Sequence, residues 1–445
     1  MKSDVVIIGG GLSGLAAAVD LASRGARVAL FERSPKLGGR CYSTIDKKTG
    51  DVVDNGQHVL LGAYRHTLQY LETIGTRSFL KHEPALSLLF HHPDKGIVAL
   101  KVGSLPRPFH LTAGMLQFKA LSLKERRQLL NVGVALTRWN QNREKELSLL
   151  TVRQWLQQLH QSEAAMNALW SPLAVSIMNE QPDRASAVLL ARSLRAAFLG
   201  TKSDSAVLLP TVGQTELYVN GAVELLKRSK AHVCVNAAVG SIDIARGVMK
   251  GVTLKDGTHH AADAVISAVP HFGLRGIVPE QWRSELPFAN GSRFESSPII
   301  SFHLWYDANV PEFDFIGLIG GRVQWLFNKR RIMGGGQNRP AYLSAVISGA
   351  HEFIDLSAQN LVSIAVEDVR RVIPSCNPAA LVHSVVIKEK RATFSPTNEV
   401  ESLRPSTETP VKGLYLAGDW TNTGLPATIE GAVMSGVHAA QCALR

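Results

Sequence analysis

Three glycines mark where this chain could do chemistry. Gly9, Gly11 and Gly14 are spaced G-x-G-x-x-G, after the apolar run Val5-Val6-Ile7-Ile8 and before Leu15-Ala16-Ala17-Ala18-Val19. In that strand–turn–helix setting the motif binds a dinucleotide. The first glycine allows the tight turn, the second lets a pyrophosphate approach the backbone, and the third lets helix and strand pack closely. Leu12 and Ser13 lie in this turn, and the helix that follows from Leu15 turns its free N–H groups and positive dipole end to the phosphates. Arg27 to Glu32 predicts the next strand. Its closing acid, Glu32, falls about 20 residues on, where a ribose 2′-hydroxyl is read, and favours a cofactor without a 2′-phosphate.

Other reactive types follow. Leu37-Gly38-Gly39-Arg40 offers small residues along which a cofactor can lie, and a guanidinium to neutralise pyrophosphate. Asp54-Asn55-Gly56-Gln57-His58 holds an acid and a histidine, the side chain that titrates nearest neutral pH. Near the end, Gly418-Asp419 precedes Thr428-Ile429-Glu430-Gly431-Ala432. His91 and His92 are adjacent in a β-like stretch, so they point to opposite faces and no metal site is expected.

E-R-x-x-x-x-G-G-R, formed by Glu32, Arg33, Gly38, Gly39 and Arg40, resembles the FAD-binding amine oxidase and carotenoid desaturase superfamily. The resemblance implies FAD, with Gly56, Gln57 and His58 beside the flavin and the Val239 backbone at the adenine. It implies that Asp419 binds the ribityl or phosphate region, and that the helix start at Thr428 and Ile429 meets the pyrimidine edge. Superfamily amine oxidases carry an aromatic residue where Thr428 stands, which counts against amine oxidation. Ala417-Gly418-Asp419-Trp420-Thr421 has the desaturase form. Two longer runs, Asp54 to Tyr64 and Gly418 to Thr428, resemble the squalene-associated FAD-dependent desaturases, with Asn422 where Asp is expected. These are now regarded as hydroxysqualene dehydroxylases of bacterial squalene and hopanoid synthesis.

That resemblance implies reductive loss of an allylic hydroxyl, with hydride from reduced flavin and one proton from the protein. His58 is the candidate donor, Gln57 lies beside it, and Asp54 and Glu430 are weaker candidates. Two alternatives use the same parts. One is an oxidative desaturase of a carotenoid or squalene-like chain. The other is a non-enzymatic prenyl-chain carrier of the GDP-dissociation-inhibitor type.

The elements that must position these residues predict an α/β fold. A discontinuous Rossmann-like FAD-binding domain takes residues 1–85, 210–290 and 401–445. An α+β substrate domain, amine oxidase/phytoene desaturase-like, takes a mainly helical insert at 86–209 and a sheet at 291–400. A chain of 445 residues is long enough for two such cores.

Four cysteines without C-x-x-C spacing suit a reducing cytosol, and a strand that starts almost at once leaves no room for a signal peptide. The net charge of +11 calls for a partner, but no nucleic-acid motif accompanies it. A long isoprenoid substrate points instead to the inner face of the cytoplasmic membrane. Suitable material lies between Leu105 and Trp139. Leu111, Met115, Leu116 and Phe118 offer apolar contacts, and Lys119, Lys124, Arg126, Arg127 and Arg138 could face anionic headgroups. An electron donor is also required, and nothing in the sequence identifies it.

Overall fold

The computed structural model describes residues 3–82, 86–101, 109–201, 203–335 and 339–445. The first strand, Ser3–Ile8, is buried on both faces: Val5 and Ile7 enter one apolar cluster, Val6 and Ile8 another. Among the described residues it is the central one of five parallel strands, in the order His232–Cys234, Val28–Phe31, Ser3–Ile8, His259–Ser267, Leu414–Leu416. The strand His259–Ser267 runs unbroken through Ala261-Ala262-Asp263-Ala264. Its early part pairs antiparallel with Val248–Leu254, which in turn pairs with Val239–Ala245.

On one face of this sheet the helix Leu12–Ser23 crosses the C-terminal helix, Ile429–Ala443. Small side chains let them meet backbone to backbone. A Cβ on Gly436 would collide with the Ser13 carbonyl oxygen.

A second sheet has the order Leu381–Phe394, Ser296–Tyr306, Ala341–Ser348, Trp325–Asn328, Phe315–Leu318, Ser87–His92, Gly96–Lys101. The strand Ser296–Tyr306 has two characters. Ile300, Phe302, Leu304 and Tyr306 pack under the helix Ala358–Val372. Ser301, His303 and Trp305 take the opposite face, as period-two alternation requires. A hairpin, Ser43–Ile45 with Val52–Asp54, lies on that polar face. Trp305 Nε1 donates to Asp51 at 2.8 Å, and His303 Nε2 meets the Asp54 carbonyl at 3.0 Å.

The region 109–198 is helical, and a capping box forms at Ser122 and Glu125. The stretch 168–173 is both a helix and its break. A π turn at Met166–Trp170 runs into the helix Ser171–Met178, whose first turn accepts Pro172 because an N–H is dispensable there.

The surface element expected between 105 and 139 needs correction. Phe118 is fully buried against Phe90, and Met115 is half-buried on the core, so neither is free to touch a membrane. Arg126 turns inward to the Leu121 and Leu116 carbonyls. Residues 105–108 and the Leu111 side chain lie outside the described residues. What remains exposed is Leu116 and Leu123, with Lys119, Lys124, Arg127 and Arg138.

The crossing of the first and last helices sets a stability test. Gly436→Val forces backbone apart at their contact and is expected to destabilise the chain by about 3 kcal/mol, measured as a shift in the urea midpoint at unchanged slope. A neutral midpoint would mean the helices can separate freely.

Candidate active site

The glycine turn separates what the chain needs from what a ligand needs. Gly9 has φ +102°, and a Cβ on Gly14 would collide with the Gly9 carbonyl oxygen, so the turn itself demands both. Gly11 is different. Its φ of −72° and ψ of 179° suit any residue, and nothing lies within 4 Å of where its Cβ would be. Only an approaching ligand makes a side chain there unwelcome. Glu32 closes the turn from below: one carboxylate oxygen accepts the Gly10 N–H at 2.7 Å, the other the Ser34 N–H at 2.8 Å. Ala237 donates to the Glu32 carbonyl at 2.9 Å, which brings Val239 to the same strand end. Gly38 N–H bonds to Gly10 and lays Gly38-Gly39-Arg40 along the turn, while Arg33 is exposed beside it.

Arg40 joins the two ends of the chain. Its Nη2 lies 2.8 Å from Asp419 Oδ2, and its carbonyl accepts Asn55 Nδ2 at 2.9 Å. Thr428 caps the C-terminal helix by accepting the Gly431 N–H at 3.0 Å, and Ile429 begins it. The loop from Asp419 to Leu425 hangs on Arg404, a buried residue that sequence reading missed. Its guanidinium donates to the carbonyls of Asp419, Thr421 and Leu425 and to the Thr423 hydroxyl.

Glu430 is not free to donate a proton. Its carboxylate accepts the backbone N–H groups of His66 and Thr67, the Thr67 hydroxyl and the His66 ring. Burial pushes its pKa up, but these bonds outweigh burial and hold it below the usual range. Glu430 therefore caps the helix Arg65–Thr73.

Asp54 is equally engaged. Oδ1 accepts Ser43 Oγ at 2.7 Å and the Gln214 N–H at 3.0 Å; Oδ2 accepts Lys329 Nζ at 3.1 Å. Every one of these partners donates, so Asp54 acts as an anchor. Lys329 also donates to Gln57 Oε1 at 2.9 Å, and the Gln57 amide donates to the His58 carbonyl at 3.1 Å. Gln214 reaches the Gly56 carbonyl. His58 differs from its neighbours. Burial pushes its pKa down to about 4, so the ring is neutral at pH 7. Its Nδ1 is buried without a hydrogen-bond partner, as are Asn55 Oδ1, Gln214 Oε1, Tyr218 Oη and Ser301 Oγ around it.

The residues present fit a flavin dinucleotide. Gly11 leaves room at a helix N-terminus, Arg40 and Asp419 flank the path onward, and unpartnered polar atoms gather at Asn55 to His58. Lys329 and Gln214 escaped the sequence reading for different reasons. Lys329-Arg330-Arg331 looks like a solvated basic run, and Gln214 is a single amide in a turn. Among the described residues no three His, Cys, Asp or Glu side chains group to hold a metal ion.

Gly11→Val should fold with a near-normal melting temperature yet fail to bind FAD, whereas Gly14→Val should fail to fold. Flavin absorbance and melting curves of the two purified variants decide the matter; FAD retained by the Gly11 variant would remove that glycine from the site.

The fold has counterparts among solved structures. The chain superposes on a crystal structure of an oxidoreductase from Methanosarcina mazei with a TM-score of 0.75 at 17% identity, covering 99% of this chain and 100% of the other. The sequence model for flavin containing amine oxidoreductase matches residues 12–444. A hydroxysqualene dehydroxylase of Sinorhizobium fredii is 30% identical, over 100% of this chain and 99% of the relative. One from Rhodopseudomonas palustris is also 30% identical, over 100% and 99%. Likeness along the entire length means that the chain belongs to the flavin containing amine oxidoreductase family, in its hydroxysqualene dehydroxylase branch, and is an FAD-dependent oxidoreductase.

Proposed function

We propose that the chain catalyses reductive dehydroxylation of hydroxysqualene to squalene in bacterial squalene and hopanoid synthesis. Full-length likeness to hydroxysqualene dehydroxylases carries this reading. Residues 1–85, 210–290 and 401–445 are taken to hold the cofactor, and 86–209 with 291–400 the substrate.

Bound and reduced, FAD supplies a hydride for the allylic carbon. In this reading Gly9, Gly11, Leu12, Ser13 and Gly14 cradle the pyrophosphate, and Glu32 keeps lone pairs for the ribose. Val239 borders the adenine. Arg33, Gly38, Gly39 and Arg40 follow the phosphates, Asp419 the ribityl chain, and Gly418, Thr428, Ile429, Gly56 and Gln57 the ring. The protein must also protonate the leaving hydroxyl, so that water departs while the C–O bond breaks. His58 is assigned this proton; Asp54 and Glu430 serve as anchors, because donors surround both carboxylates.

A histidine with a pKa of about 4 carries its proton in roughly one molecule in a thousand at pH 7, but gives it up readily. The sign is therefore fixed. Reoxidation of the enzyme-bound reduced flavin by hydroxysqualene, followed anaerobically with product analysis, should speed up as the pH falls, by about tenfold per unit between 7.5 and 5.5. His58→Ala should keep FAD and lose roughly 10² to 10⁴ in that rate. Absence of squalene would end the functional reading; a flat profile with an active His58→Ala would end only the role of His58.

The substrate implies a membrane surface. Moving a thirty-carbon isoprenoid from lipid to water costs on the order of 20 kcal/mol, so uptake must occur at the bilayer. No helix among the described residues is long and apolar enough to cross one. Exposed Leu116 and Leu123 beside Lys119, Lys124 and Arg127 make the contact in this reading. Co-sedimentation should require anionic vesicles, weaken with salt, and fall when Lys119, Lys124 and Arg127 are all replaced by Glu. Protein left in the supernatant at low salt would require a carrier to deliver the substrate.

A further inference from the structure

We propose that Lys329 is a positioning residue for the reaction. It holds Gln57, and with it the Gly56–His58 segment, in one conformation at the flavin side; this rests on the reading of that segment given above. Its side chain is only 1% exposed, yet it carries an ammonium group, which is stable in an interior only when paired and hydrogen-bonded. Both conditions are met by the segment in question. Asp54 supplies the carboxylate at 3.1 Å and Gln57 Oε1 the second acceptor at 2.9 Å.

The Gln57 contact carries the argument. An amide side chain can rotate to present either end, and a cation beside Oε1 removes that freedom. Nε2 is then committed to the His58 carbonyl at 3.1 Å, which ties the side chain to the backbone of the next residue. The base from which Lys329 reaches is itself fixed. Arg330 pairs with Asp51 and Arg331 with Asp314, so the short helix Lys329–Met333 is clamped to the hairpin and to a neighbouring loop. A buried ion pair can often be exchanged for apolar residues with no loss of stability. Stability alone therefore gives no reason for a lysine here, whereas orienting an amide does.

The double variant Lys329→Met/Asp54→Asn removes both buried charges at similar volume and keeps the fold testable where Lys329→Met alone would strand Asp54. It is expected to melt near the wild-type temperature and retain FAD. Its visible flavin bands should shift, and flavin reoxidation by saturating hydroxysqualene should slow by roughly tenfold to a hundredfold, the penalty of a misplaced active-site group. Gln57→Ala leaves the ion pair intact and should show the same loss, with no further loss when added to the double variant. A double variant, or a Gln57→Ala variant, with wild-type rate and wild-type flavin bands overturns the proposal. Should hydroxysqualene fail to reoxidise the wild-type flavin, the functional reading fails separately, and the flavin bands alone decide the role of Lys329.

Discussion

The seating of the Ser43–Asp54 hairpin on the polar face of strand Ser296–Tyr306 is the contact on which the rest of the site depends. Trp305 bonds to Asp51, His303 to the Asp54 carbonyl, and Ser301 lies against Gly56. The other side of the same strand is apolar and fixed under a helix. A single extended segment thus belongs to a rigid core and also presents polar groups at the strand spacing. Buried polar groups are stable only when matched, so the hairpin can sit in one register and few others. That register delivers Gly56, Gln57 and His58 from the first sheet's part of the chain to the second sheet.

Electrostatics then divide labour among groups of similar type. Asp54 and Glu430 are surrounded by donors, and those around Glu430 hold its pKa below the usual range, while His58 and His303 are buried and stay neutral, both with pKa values pushed down to about 4. His303 is satisfied by the Asp54 carbonyl and the Tyr342 hydroxyl, whereas His58 keeps a buried nitrogen without a partner. The two histidines have the same shift from the same cause. Hydrogen bonding, not burial, is what sets the two rings apart.

The basic excess of the chain is resolved in the same way. Some of it is consumed inside: Lys329, Arg330 and Arg404 each meet acids or carbonyls. Part remains outside, on the face that carries Leu116 and Leu123. A net charge cannot tell these fates apart, because it counts residues without regard to burial.

The sequence by itself determined the local parts. The apolar run before Gly9, the glycine spacing and the strand that closes at Glu32 were legible because each is set by neighbours within a few residues. Tertiary structure decided what depends on residues far apart in the chain. It paired Arg40 with Asp419, turned Phe118 into core, took Glu430 to the helix Arg65–Thr73, and buried Lys329 against Asp54 and Gln57. The physical reason is range. Backbone conformation and capping are fixed by short-range sterics and hydrogen bonds, whereas burial, and with it the fate of a charge, is fixed by whatever distant surface packs over it.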